Sequence, residues 1–192
     1  MNPHDYALLA ERSYADAPTI GASDSASRMH VYHTDAGDVH VFRGTDDVQS
    51  AFADADIAVI DVWGLGKVHA GFYNALAPIL PAALALPRPV AIVGHSLGAA
   101  MAILYAGVLA LLGDVVLVYA FEPPRLCADN TLALLFQAKR AGWYACRNGH
   151  DLVTQVPPEL SLPGPLTLIG HASLSFDNII DHGISRVAAA LA

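Results

Sequence analysis

The sequence predicts an α/β fold in which helices cover both faces of a mostly parallel central sheet. Three observations carry this. From residue 55 onward, short β-branched runs alternate with longer helical patterns, the order that builds parallel sheets. Val115 to Phe121 is an unbroken β-branched and aromatic run, as expected of a central strand buried on both faces. Val90 to Val93 leads through Gly94-His95-Ser96-Leu97-Gly98 directly into an apolar helical run, which is a strand–turn–helix junction.

In chain order, Pro3 to Ala17 reads as a helix ended by Pro18, and Gly21 to Ser27 as a loop. Met29 to His33 and Val39 to Phe42 alternate as strands, and Asp35-Ala36-Gly37 lies within the turn that joins them. Asp46 or Asp47 is placed to cap a helix over Val48 to Asp54, and Ala55 to Asp61 reads as a strand. Trp63 to Phe72 reads as a glycine-rich loop. Phe72 to Leu86 is a helical pattern that Pro78 and Pro81 must kink or divide. After the Gly98 junction come a helix to Gly113, the strand ending at Phe121 and a helix from Thr131 to Gly142. A short strand, Trp143 to Arg147, is followed by Asn148-Gly149-His150-Asp151 and a proline-rich loop from Val156 to Pro165. Leu166 to Ile169 is the last strand, and Ser185 to Leu191 a terminal helix.

A chain of 192 residues that is 54% hydrophobic and 15% charged is expected to form one domain, 1–192, around a substantial core. The net charge of −8, with no Lys/Arg run, excludes nucleic acid as a partner and disfavours anionic membranes. Leu97 to Gly113 is uncharged and strongly apolar. It is shorter than the about 20 residues that span a bilayer, so a buried helix is expected and stable membrane insertion is not. No basic segment followed by an apolar stretch opens the chain, which points to the cytoplasm, with release by lysis or non-classical export as the alternative. Cys127 and Cys146 form no CxxC pair and read as two buried thiols.

The Gly-x-Ser-x-Gly junction gives the chain its candidate chemistry. Ser96 must sit on a tight, strained turn, and the small neighbours Gly94 and Gly98 allow one. The helix that follows points its free N–H groups and positive end at the serine, which suits a developing oxyanion. A serine hydroxyl needs a base, and the base needs an orienting acid. Asp151 and Glu122 both follow strands that come after Ser96, and the usual chain order favours Asp151. His150, His171 and His182 are the histidines downstream of Ser96. His30, His33 and His40 lie in or near a hairpin without an acidic or thiol ligand at clear spacing, so no metal site is expected there.

Four motifs occur in one order: Phe42-Arg43-Gly44-Thr45, Val68-His69-Ala70-Gly71-Phe72, Gly94 to Ala100, and Asn148 to Pro158 with Asp151 and Pro157-Pro158. A fifth is Phe121-Glu122-Pro123-Pro124-Arg125. Together they resemble the class 3 lipases, the fungal-lipase-like family of α/β hydrolases, over about residues 39–184. The resemblance implies the α/β-hydrolase fold, with Ser96 as nucleophile, Asp151 as acid and His182, in Asp181-His182, as base. It implies that Thr45 and the backbone N–H of Leu97 form the oxyanion hole, each donor contributing about 2.7–4 kcal/mol to the barrier. Arg43 and His69 look structural in that family.

Three departures stand out. Glu122 occupies the family's glycine position and so rivals Asp151. The usual aromatic after the base is absent, with Ile184-Ser185-Arg186 in its place, and His171 stays a rival base. The chain is short, and Asp46 to Trp63, where the family carries its lid, is brief and acidic. Soluble or dispersed esters are therefore favoured over bulk triglyceride. The sequence thus describes a serine esterase or lipase that cleaves an acyl ester or lipid through an acyl-enzyme, with no metal or organic cofactor. A phospholipase or thioesterase using the same triad, or a non-catalytic binding module, are the alternatives.

Overall fold

A computed structural model of the chain describes residues 1–45, 58–171 and 181–192. Its main sheet runs in the order β1 (Ile20–Gly21), β2 (Arg28–Thr34), β3 (Gly37–Phe42), β6 (Ala91–His95), β7 (Leu117–Phe121), β8 (Gly142–Asn148) and β9 (Thr167–Ile169). From β3 to β9 all pairings are parallel, while β1, β2 and β3 pair antiparallel at one edge. The α/β expectation is met, and the helices form a layer on each face. Helices α1 (Pro3–Arg12) and α6 (Ile184–Leu191) cover one face through Tyr6, Ala7, Val187 and Ala188, packed on Val39, Val41, Ala91 and Val93. Helices α2 (Ala70–Leu76), α3 (Leu80–Leu84), α4 (Leu97–Leu111) and α5 (Thr131–Lys139) cover the other.

The sequence differs from the structure in three places. The Trp63–Phe72 stretch is not a loop throughout. Gly66–His69 is a strand, β5, and it pairs antiparallel with β4 (Val59–Val62) in a separate ribbon. Leu65 and Val68 are anchored in the core, and this draws the glycine-rich segment into a hairpin. The described part of the strand expected over residues 55–61 therefore contributes to this ribbon and not to the parallel sheet. The helix expected over residues 48–54 lies outside the described residues. The first helix ends at Arg12, earlier than Pro18 would require, because the Ser13 hydroxyl donates to the Ala10 carbonyl (2.7 Å) and caps it. The two prolines divide the predicted 72–86 helix into α2 and α3, with Pro81 in the first turn of α3, where a missing N–H costs nothing.

The strand β6 is buried along its whole length, with Ala91 and Val93 on one face and Ile92 on the other. Helix α4 is apolar all round because β6 and β7 lie beneath it and α2 and α5 beside it. At 15 residues it is about 22 Å long, less than the about 30 Å of a bilayer core. Among the described residues, no helix is long and apolar enough to cross a membrane.

Two glycines set how closely α4 approaches the sheet. A Cβ on Gly98 would lie 2.1 Å from the Phe42 carbonyl oxygen, and one on Gly94 would lie 2.2 Å from the carbonyl oxygen of Gly98. Backbone cannot yield to such overlaps cheaply. Gly98→Ala is expected to cost about 3 kcal/mol or more of folding stability, read as a lower midpoint in urea denaturation. A variant that melts like the wild type would show that α4 can ride higher on the sheet than this contact allows.

Candidate active site

The parallel strands deliver their C-terminal ends to one edge of the sheet, and the candidate residues collect there. Ser96 sits between β6 and α4 with φ 57° and ψ −128°, a left-handed conformation that non-glycine residues hold only under constraint. Its N–H donates to the Phe121 carbonyl (3.0 Å), and its own carbonyl accepts from Ala99 N–H (2.9 Å), so neighbouring backbone fixes the turn from both sides. Gly44 packs against it, since a Cβ there would lie 3.1 Å from Ser96 Cβ and 2.7 Å from the His95 carbonyl oxygen. Thr45 therefore leaves the end of β3 directly beside the elbow. Leu97 opens α4, where the first backbone N–H groups have no partner within the helix.

Asp151 follows β8 and is fully buried. Its Oδ1 accepts from Val153 N–H (2.9 Å), and its Oδ2 accepts from His182 Nδ1 (3.0 Å). The turns that carry the two residues are tied together. Asn148 Nδ2 donates to the Asp181 carbonyl (3.0 Å), and His150 N–H donates to Asp181 Oδ2 (3.1 Å). Gly149 has φ +52°, and a Cβ there would lie 2.6 Å from Asp181 Oδ2, so the docking requires glycine. The imidazole Nε2 of His182 and the hydroxyl of Ser96 are both buried and make no hydrogen bond among the described residues. They are the two atoms between which a serine mechanism moves its proton. His150 and His171 are exposed, whereas His182 is buried.

His95 is held on both ring nitrogens. Its Nε2 lies 2.8 Å from the His182 carbonyl, which can only accept, so the proton is assigned to Nε2. The Tyr14 hydroxyl then donates to Nδ1 (2.7 Å). Burial and the neighbouring His182 push the ring well below its ordinary value, which keeps it neutral. Tyr14 lies far from the elbow in sequence and carries no motif. It follows the short first helix, its N–H donating to the Glu11 carbonyl (3.1 Å), and its ring packs against Arg43 (4.8 Å). His69 caps α2, its Nδ1 accepting from Gly71 N–H (3.1 Å).

Glu122 stands beside the same histidines. Its Oε2 is 3.3 Å from His95 Nε2 and 3.5 Å from His182 Nδ1, and the residue is fully buried. Burial, then the nearby Asp151, push its carboxyl well above the ordinary 4.5. Like Ser96 it adopts a positive φ, 52°, a position where glycine carries no strain. Among the described residues, His95, Glu122 and His182 are the group whose ligand atoms come close enough to suggest a cation, within 4.8 Å of one another. Both ring nitrogens already face acceptors, a carbonyl and Asp151, so hydrogen bonding accounts for the grouping. In the hairpin, His30 and His40 lie on opposite faces, since His30 pairs with Val41 and Val31 with His40. His33 is bonded to Asp38 (2.6 Å). Cys127 and Cys146 are free, buried thiols, each pushed up to about 12, mainly by burial.

A serine elbow at the carboxyl edge of a largely parallel sheet, beside a histidine bonded to a buried aspartate, is the arrangement of an α/β hydrolase. The family profile for Lipase (class 3) matches residues 39–161, and the chain belongs to the class 3 lipase family. No curated protein sequence matches the chain. Several solved fungal lipases share its fold. The lipase from Rhizopus microsporus var. chinensis superposes with a TM-score of 0.73 at 23% identity, over 88% of this chain and 72% of that one. Lipase II from Rhizopus niveus gives 0.69 at 22%, over 89% and 80%. The Rhizomucor miehei lipase propeptide complex gives 0.67 at 22%, over 87% of this chain and 67% of that one, so this chain spans about two thirds of its length. Family membership supports hydrolysis of carboxylic esters as the chain's chemistry.

The raised Glu122 carboxyl has a consequence for stability. The folded protein keeps a proton there that the unfolded chain releases above the ordinary 4.5. Stability therefore falls as pH rises past about 4.5, until Glu122 itself ionises. Glu122→Gln removes this loss. Its melting temperature is expected to exceed the wild type's by a margin that widens as pH rises above about 5. A margin that stays constant or shrinks over that range would show that Glu122 is ionised in the fold.

Proposed function

We propose that the protein is a serine esterase or lipase with Ser96 as nucleophile, His182 as base and Asp151 as the orienting acid. The observation that carries this is the 3.0 Å hydrogen bond from His182 Nδ1 to Asp151 Oδ2, which leaves Nε2 as the free, basic nitrogen. The Ser96 hydroxyl attacks the ester carbonyl while His182 Nε2 takes its proton. The carbonyl π electrons move to oxygen, and the N–H groups of Thr45 and Leu97 receive that charge. Collapse expels the alcohol, protonated by His182, and leaves an acyl-Ser96. Water, deprotonated by His182, then attacks the acyl carbon, and the acid departs. Asp151 is the better acid, since its oxygen has the closer contact with Nδ1 and the Val153 N–H fixes its carboxyl. Glu122 is only in contact with Nδ1, and its burial favours the protonated form. The acidic run from Asp46 to Asp61 favours soluble or dispersed acyl esters as substrates.

A fluorophosphonate probe is expected to label the wild type and not Ser96→Ala, and equal labelling of both would remove the assignment. Turnover of p-nitrophenyl butyrate, p-nitrophenyl palmitate, a phospholipid and an acyl thioester separates the ester readings. Asp151→Asn is expected to lower kcat on the best of these by about 10⁴-fold, and Glu122→Gln by far less. A larger loss at Glu122 would make it the acid. His182→Ala should abolish turnover while His171→Ala leaves it near wild type.

A further inference from the structure

We propose that Arg28 is a positioning residue for the oxyanion hole, fixing the peptide plane that carries the Thr45 N–H by holding the carbonyl of Gly44. The proposal rests on the serine-hydrolase reading above. Arg28 opens β2, where its backbone pairs with Gly21 of β1, and only 4% of its surface is exposed. One arm of its guanidinium, Nη2, donates to the Gly44 carbonyl at 3.2 Å. The other arm, Nη1, donates to the Ser23 carbonyl.

The Gly44 carbonyl lies past the last paired residue of β3, Phe42, so no ladder bond orients it. Glycine leaves the preceding torsions soft, and such a peptide unit can rotate about its ends. The Gly44 C=O and the Thr45 N–H belong to one planar trans unit and point in opposite directions. Whatever anchors the first therefore aims the second. Gly44 is also the residue pressed against Ser96 Cβ and the His95 carbonyl, so a rotated plane there would turn beside the nucleophile.

The choice of arginine has its own meaning. A buried guanidinium loses several kcal/mol of solvation, and a neutral donor would anchor a carbonyl at less cost. A cation on the C=O does more than anchor it. It polarises the amide, making the opposite N–H a stronger donor to developing negative charge. Burial holds the nearby His30 below its ordinary value, against the raising effect of Asp16 and with smaller lowering contributions from Arg43 and Arg28.

The test measures kcat, KM and two inhibitor affinities on p-nitrophenyl butyrate turnover, in wild type, Ser96→Ala, Arg28→Lys and Arg28→Met. One inhibitor is a trifluoromethyl ketone, which forms a hemiketal oxyanion on the serine. The other is the matching methyl ether, which forms none. Arg28→Met is expected to lose roughly 10- to 100-fold in kcat with KM within about 2-fold, and to lose ketone affinity in step while ether affinity holds. Arg28→Lys keeps the charge without the fork and should fall between the two. Inhibitor affinities report the folded fraction alone, and Arg28→Lys serves where Arg28→Met does not fold. A variant that melts lower but keeps the wild-type ratio of ketone to ether affinity would show a purely structural Arg28 and overturn the proposal. Unchanged kcat in Arg28→Met, with Ser96→Ala inactive, would overturn the proposal and leave the serine mechanism standing. Turnover that survives Ser96→Ala would overturn both.

Discussion

The contact between Gly98 and the carbonyl of Phe42 governs the site. It brings the start of α4 onto the end of β3, with Gly94 of β6 tucked beneath, so three elements converge within backbone contact. Ser96 lies at their meeting point, and its positive φ is the consequence of turning from strand to helix in so little space. A strained residue of this kind costs about 1–3 kcal/mol. The helix that imposes it buries Met101, Ile103, Leu104, Tyr105 and Leu109, each contributing about 1.5–3 kcal/mol. Helix burial therefore outweighs the strain several-fold, and the turn cannot relax without lifting α4 from the sheet.

The histidine side of the site is held differently. No short motif builds it, and the chain reaches His182 only after the whole sheet is complete. Its position comes from buried polar contacts between two turns: Asn148 to the Asp181 carbonyl, His150 N–H to the Asp181 carboxylate, and His95 to the carbonyl of His182 itself. Unsatisfied, such groups would each cost about 1–3 kcal/mol, so the network specifies one arrangement by penalising the others. A neutral His95 suits this task. Its one N–H serves a carbonyl and its bare nitrogen serves a tyrosine hydroxyl.

The parallel sheet and the helix after Ser96 were legible because burial on both faces leaves a simple pattern of apolar runs. The prolines at 78 and 81 likewise announced the break between α2 and α3. The β4–β5 ribbon was not legible. Glycines at 64 and 66 resemble loop composition, and it is the long-range packing of Leu65 and Val68 that makes the segment pair. The elbow could be read locally, since its Gly-x-Ser-x-Gly spacing lies within five residues, although the contacts that hold it come from Phe42, Gly44 and Phe121. Tyr14 and Arg28 could not, because each acts on residues far along the chain and neither sits in a recurring spacing. Arg28 did leave one mark, a lone Lys/Arg cation at the head of its strand.

The charges around Ser96 have a direction. Under the proposed mechanism, the ester oxygen becomes negative on one side of Ser96 in the transition state while the imidazole becomes positive on the other. Asp151 lies on the imidazole side, and the Arg28 guanidinium lies behind the peptide that ends in Thr45 N–H. The fixed charges are thus arranged with the charge separation the reaction creates, and burial keeps solvent from weakening them. Glu122 belongs in this account as a carboxyl that burial pushes toward its protonated form. Ionised, it would place a second negative charge beside His182 and His95 in the same dry space. Protonated, it fills that space without one, leaving a single carboxylate to face a single imidazolium.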